Sequence, residues 1–166
     1  YHHLTHAFGD PLRHISVQLE GTFEARALLY IPSRAPFDLY SAEMKRGLSL
    51  YVKRVFIMDQ CKELMPPHLR FVRGVVDAPD LSLNVSREIL QKDRQIQIIR
   101  KQLVKKVLAT LDEMKREKRE EFSAFNAAFG PVLKEGLVAY DSEDKEKLLD
   151  LVLAPSTADA EKTTTL

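Results

Sequence analysis

A single arginine at the start of a predicted helix is the residue in this chain best suited to chemistry. Arg87 follows a polar turn that contains Asp77, Pro79 and Asp80, and Gln91 lies one helical turn beyond it. A planar guanidinium held at a structured helix start can reach an anionic group such as phosphate. The functional interpretation of Arg87 is a sensor arginine that stabilises a transferring phosphoryl group, with Gln91 able to bond the same phosphate or orient water.

An ordinary surface arginine is the competing interpretation of Arg87. Most arginines are solvated or structural, and either Glu88 or Asp80 could pair with this one. The chain has only 6 glycines, and it contains neither GxxxxGK(S/T) nor GxGxxG. If Arg87 acts on a nucleotide, that nucleotide is bound elsewhere.

Two further groups of residues could have other roles. His2, His3 and His6 form a His-rich cluster, but the lone cysteine, Cys61, offers no CxxC partner, so we expect no metal site. The basic residues of 94–119 are interleaved with acidic ones and have no aromatic companion, which favours a solvated helix face over nucleic-acid binding.

Aromatic residues in or near irregular segments leave two interpretations open. Phe8, Phe37 and Tyr40 could close the edge of the core beneath a loop. They could equally form an exposed apolar patch that binds a protein partner.

The composition is that of a folded globular protein. Of the 166 residues, 45% are hydrophobic and 30% are charged, with a net charge of +1. One cysteine excludes a disulfide within the chain and favours a reducing compartment. No apolar run approaches the length of a membrane span, and the first residues do not form a signal peptide. We expect the chain to be a piece of a longer protein.

Apolar periodicity predicts strands in the first half and helices in the second. The expected strands, the first two forming a hairpin around Gly21, are His14–Glu20, Ala25–Ile31, Leu48–Met58 and Phe71–Val76. One long amphipathic helix is expected from Ser86 to Met114, with shorter ones at Arg119–Phe129 and Ser142–Leu151 and a polar linker at the end.

The fold class that follows is α/β, in the layered α+β sense. We predict a mixed sheet flanked by helices, followed by a small helical bundle. The charge-dense run around residues 113–119 sets the expected boundary, with an α/β subdomain over 1–115 and a helical subdomain with a C-terminal linker over 116–166.

Several segments together resemble one family, the ninety-kilodalton heat shock chaperones, and in particular the middle domain of its bacterial members. The segments that carry the resemblance are Asp10–Leu12, Leu28–Tyr40, Gly47–Asp59, Leu69–Gln91 and Phe129–Leu137. The resemblance implies a cytoplasmic, homodimeric, ATP-driven chaperone. Its N-terminal domain would bind ATP with Mg, its C-terminal domain would dimerise, and the present chain would bind no nucleotide alone.

The resemblance also implies roles for individual residues. Arg87, with Gln91 as its companion and Asn84 on the same loop, would contact the γ-phosphate of ATP held by the N-terminal domain. Phe56 matches an apolar residue associated with interdomain contact. Phe8 falls where eukaryotic members have a tryptophan implicated in contact with unfolded clients. Ser82 stands where the family usually has proline, which would give the loop more freedom.

Three functions are compatible with this sequence. The first is a middle segment of an ATP-dependent chaperone, which would be part of an ATPase but inactive alone. The second is a protein-interaction module in which Arg87 makes no catalytic contribution. The third is a relative of DNA-repair or topoisomerase ATPases, which would bind DNA in a salt-sensitive manner; we expect no binding to nucleic acid or membrane.

Overall fold

The computed structural model describes residues 10–41, 47–83, 86–139, 144–155 and 163–165. The strands are β1 (Pro11–Leu19), β2 (Ala25–Pro32), β3 (Leu48–Val52), β4 (Val55–Cys61), β5 (Arg73–Asp77), β6 (Leu153–Pro155) and β7 (Thr163–Thr165). The helices are α1 (Arg87–Lys92), α2 (Arg94–Glu117), α3 (Arg119–Val138) and α4 (Lys145–Leu151), with short 3-10 turns at Lys62–Leu64 and Pro67–Leu69.

Two compact units make up the chain. The first contains residues 1–66 and 70–107, and the second contains residues 67–69 and 108–166. The first unit holds a five-stranded sheet in the order β1-β2-β5-β3-β4. Adjacent strands in this sheet run antiparallel, except β3 and β5, which run parallel to each other. This mixed sheet with helices confirms the predicted fold class.

Buried and exposed residues alternate along β2, although its nearly continuous apolar sequence favoured a more deeply buried strand. In β2, Ala25, Ala27, Leu29 and Ile31 are buried, whereas Arg26 and Leu28 between them are exposed. The hairpin of β1 and β2 is confirmed, and its register pairs Val17 with Ala27.

The single strand predicted over Leu48–Met58 is wrong, because the chain reverses at Lys53 and Arg54. These two residues have φ angles of 51° and 65°, the left-handed conformation of a two-residue hairpin turn. Such turns are usually marked by Asn-Gly, so a Lys-Arg pair gave no signal. The Arg54 N–H donates to Oδ1 of Asp77 at 3.2 Å, which helps to hold the turn.

Replacing Lys53-Arg54 by Asn-Gly should stabilise the chain. The left-handed conformation costs most residues about 1–2 kcal/mol, and Asn and Gly adopt it more readily. We expect the free energy of unfolding to rise by about 1 kcal/mol, measured by urea denaturation followed by circular dichroism. Lys53→Ala, which keeps a Cβ at a positive φ, should give no such gain. A stability unchanged by Asn-Gly would show that the turn is not strained.

The single helix predicted from Ser86 is also wrong, since it is interrupted at Asp93. Oδ1 of Asp93 accepts the N–H groups of Gln95 at 2.7 Å and Ile96 at 3.1 Å, which caps α2. The Asp93 N–H itself donates to the carbonyl of Leu90 at 3.3 Å. Apolar spacing continues through this break, so periodicity alone could not reveal it.

In the second unit, α3 continues through Pro131, where the sequence predicted an interruption. A proline inside a helix costs about 3 kcal/mol. Burial opposes that cost because an apolar stripe runs along the whole helix, and each buried Phe, Val or Leu contributes about 1.5–3 kcal/mol. The buried side chains of that stripe include Phe122, Phe125, Phe129, Val132 and Leu133. Pro131 itself lies on the exposed side.

The last part of the chain is not wholly the linker that its composition predicted. Leu153–Pro155 pairs antiparallel with Thr163–Thr165 in a two-stranded sheet. The predicted helix Ser142–Leu151 is observed as the shorter α4, and residues 140–143 lie outside the described part of the chain.

Candidate functional site

The loop that leads to Arg87 is built onto the end of the five-stranded sheet. The Ala78 N–H donates to the carbonyl of Tyr51 at 3.0 Å, which continues the pairing of β5 with β3 by one residue. A β-turn follows, closed by the Leu81 N–H donating to the Ala78 carbonyl at 3.1 Å. Pro79 occupies the second turn position, where its fixed φ is favourable. Ala78 and Leu81 are both buried, so their side chains anchor the turn.

Arg87 is the first residue of α1, as the sequence predicted. The first turn of the helix is closed by the Leu90 N–H donating to the Ser86 carbonyl at 3.0 Å, and Leu90 is fully buried. Gln91 is exposed one turn after Arg87, so the two Cα atoms share a helix side. The side chain of Arg87 and the whole of Asn84 lie outside the described residues.

Phe56 lies at the same end of the sheet as the loop. Its side chain is 55% exposed. Its ring meets that of Tyr51 edge to face, with centroids 5.6 Å apart and planes at 73°. Since the carbonyl of Tyr51 accepts the Ala78 N–H, Tyr51 connects Phe56 to the loop. Val55 and Leu83 are also about half exposed.

In the segment between β2 and β3, both aromatic residues named in the sequence analysis, Phe37 and Tyr40, are exposed, in line with the second of its two interpretations. Leu39 is fully buried, whereas Phe37 is fully exposed and Tyr40 is 60% exposed. The guanidinium of Arg70 lies 5.7 Å from the centre of the Tyr40 ring. Arg70 is itself buried, and its Nε donates to the Leu39 carbonyl at 3.0 Å. Phe8 and the three histidines, His2, His3 and His6, lie outside the described residues.

Neither a cluster of metal ligands nor a membrane-spanning helix is found in the part of the chain that the structure describes. No three His, Cys, Asp or Glu side chains there lie close enough together to hold a metal ion. No helix among the described residues is both long and apolar enough to cross a membrane.

Cys61 is buried, and its Sγ lies 3.5 Å from Oε2 of Glu63. Burial, reinforced by the negative charge of Glu63, raises the pKa of the Cys61 thiol from 9.0 to about 12. A thiol that keeps its proton at neutral pH is a poor nucleophile. Cys61 therefore has a packing role and is not a candidate for catalysis.

The raised pKa of Cys61 predicts a loss of stability at alkaline pH. Below about pH 9 the thiol is protonated in both the folded and unfolded states. Above that pH the unfolded chain releases the proton and the folded chain keeps it, so the free energy of unfolding falls by up to about 1.4 kcal/mol per pH unit until about pH 12. Urea denaturation between pH 8 and 11 measures this slope. Cys61→Ala should show a shallower slope, and equal slopes would refute the role of this thiol.

Sequence reasoning missed the residues that fix the loop in place. Oδ2 of Asp80 accepts the Glu24 N–H at 2.7 Å, and Asp77 accepts the Arg54 N–H. The turn chemistry of the Asp77–Asp80 segment was visible in the sequence. Its partners were not, because Glu24 precedes Asp80 by 56 residues and a backbone N–H has no signature of its own.

Comparisons with known proteins converge on one family. The family model described as Hsp90 protein matches residues 1–166. The chaperone protein HtpG of Nocardia farcinica is 58% identical over 99% of this chain, and that of Streptomyces coelicolor is 55% identical over all of it. The chain spans about a quarter of the length of these relatives, 25% and 26%.

A solved structure agrees with the sequence comparisons. The middle domain of a Plasmodium falciparum heat shock protein matches with a TM-score of 0.85 and 33% identity. The match covers 99% of this chain and 63% of that one.

Proposed function

Because this chain belongs to the Hsp90 family and has the fold of its middle domain, we propose that it is the middle segment of an ATP-dependent molecular chaperone. The observation that supports this role most directly is the placement of Arg87. It begins α1 between two buried anchors, Leu81 and Leu90, at one end of the sheet.

In this proposal Arg87 stabilises the charge that develops on the γ-phosphate of ATP during hydrolysis. The nucleotide and its Mg are held by a separate N-terminal domain of the same protein. A guanidinium supplied from a second domain contributes only when the two domains close, so hydrolysis is coupled to a change of conformation. Gln91 and Asn84 are proposed to bond the same phosphate or its attacking water.

Two apolar side chains, Phe56 and Phe8, are assigned to contacts with proteins. Phe56 is proposed to meet the N-terminal domain, since its exposed ring is linked through Tyr51 to the loop of Arg87. Phe8 is proposed to contact unfolded clients. A further proposed partner is the C-terminal domain, which would make the protein a homodimer, and other chaperones are also proposed as partners. The single free cysteine fits a cytoplasmic location.

A second candidate function is a protein-interaction module without a catalytic arginine. The full exposure of Phe37, together with the partial exposure of Tyr40 and Phe56, favours this alternative. The two functions differ in what they require of Arg87. Comparison of ATP turnover by the full-length protein that contains this chain and by its Arg87→Ala variant decides between them.

A further inference from the structure

We propose that Asp80 and Asp77 are positioning residues that tie the Arg87 loop to the hairpin turns on either side of it. This inference rests on the proposed function, because it assigns these carboxylates a role in presenting Arg87 to the nucleotide. Neither carboxylate would touch ATP. Each would act through the conformation of the loop.

Asp80 ties the loop to the connection between β1 and β2. Its Oδ2 accepts the backbone N–H of Glu24 at 2.7 Å, a short bond in which the acceptor is charged. Because the donor is a backbone amide, the bond depends on the path of the chain at Glu24 and not on the Glu24 side chain. The two bonded residues are exposed, so the bond is not enforced by surrounding core packing.

Asp77 ties the other side of the loop to the turn between β3 and β4. Its Oδ1 accepts the Arg54 N–H at 3.2 Å, and the adjacent Ala78 N–H donates to the Tyr51 carbonyl. Asp77 thus bridges the end of β5 to a turn whose left-handed residues need support. The loop is held from two directions before it reaches Arg87.

The placement of Arg87 makes these ties important. It lies six residues after the buried Leu81 and three before the buried Leu90, and Ser82 and Leu83 between them are exposed. A loop with fewer ties samples more conformations, and turnover falls with the population that presents Arg87 correctly. ATP affinity should not change, since in the proposed function ATP is bound by another domain.

The test compares Asp80→Ala with Asp80→Asn in the full-length protein. Alanine removes the acceptor, and we expect kcat for ATP hydrolysis to fall about 5- to 10-fold with KM unchanged. Asparagine keeps an acceptor oxygen and should restore most of kcat. Glu24→Ala is the matched control, because it removes an acidic side chain at the donating residue but keeps the backbone N–H that donates to Asp80, and should leave kcat unchanged.

A double variant shows whether Asp80 acts through Arg87. In an Arg87→Ala background, adding Asp80→Ala should lower kcat little further, since the loop then has no arginine to present. If the double variant instead lost kcat by the product of the two single-variant factors, the positioning role of Asp80 would be overturned. The same conclusion would follow from an Asp80→Ala kcat equal to wild type, or from an Asp80→Asn variant as impaired as Asp80→Ala.

Failure of this inference can be told apart from failure of the proposed function. If Arg87→Ala has full activity, the proposed function itself is wrong. If Arg87→Ala is impaired and Asp80→Ala is not, only the positioning role is wrong. Circular dichroism melts establish that each variant is folded, and Asp77→Ala, expected to lower kcat in the same way, provides a second test should Asp80→Ala not fold.

Discussion

Arg87→Ala is expected to lower the ATP turnover of the full-length protein by about 10²- to 10³-fold, with KM for ATP nearly unchanged. Arginines that stabilise charge on a transferring phosphoryl group contribute on this order or more. The effect should fall on kcat alone, because Arg87 would meet the γ-phosphate after domain closure and would take no part in the initial binding of ATP.

Two further variants give this experiment its controls. Arg87→Lys keeps the positive charge but loses the planar fork of donors, so we expect only a small part of the activity to return. Arg100→Ala removes an exposed arginine from α2 and should leave turnover at the wild-type level. Unaltered turnover in Arg87→Ala would exclude the catalytic role and leave the protein-interaction module as the better interpretation.

The parts of the fold that the sequence predicted well are those set by burial. The alternation along Ile15, Val17 and Leu19 and the turn at Gly21 indicated the first hairpin, and the change to helical spacing after Ser86 indicated where helices begin. Both patterns reflect a division between buried and exposed faces, which the order of residues records directly.

The predictions of the fold that were wrong concern the local conformation of a few polar or constrained residues. A Lys-Arg pair made the tight turn at residues 53 and 54, Asp93 capped a helix instead of facing solvent along one, and Pro131 was tolerated inside α3. At the turn, a bond to Asp77 from a distant part of the sequence outweighs the local preference, and at Pro131 burial of the helix does so. At Asp93 the deciding bonds are local, to the N–H groups two and three residues further on, but the apolar spacing of the helix does not record them.

The candidate site shows the same division. Arg87 could be located as the start of a helix after a turn, and Gln91 could be placed one turn beyond it. The ties made by Asp77 and Asp80 could not be predicted, since their partners are main-chain amides 23 and 56 residues away. A backbone N–H belongs to nearly every residue, so the sequence does not indicate which residue donates to a given carboxylate.

Gly74→Ala is expected to have the largest effect on stability. Gly74 lies in β5 with φ of 152°, and it pairs with Leu29 in the neighbouring strand β2. A Cβ at this position would lie 2.2 Å from the Leu28 carbonyl oxygen and 2.9 Å from the Leu29 Cα. Both are backbone atoms inside the sheet, so they cannot move away without breaking the pairing of β2 with β5. We expect a loss of about 4 kcal/mol or more, from the strained φ and the clash together.

Gly21→Ala separates these two contributions. Gly21 has nearly the same φ, 151°, but nothing lies within 4 Å of the position that a Cβ would take. Its substitution should therefore cost only the backbone strain, about 1–3 kcal/mol. Because the chain has no tryptophan, urea unfolding is followed by far-ultraviolet circular dichroism. The difference between the two variants measures the clash with β2, and equal losses would show that the close approach of Gly74 to β2 is not what requires glycine there.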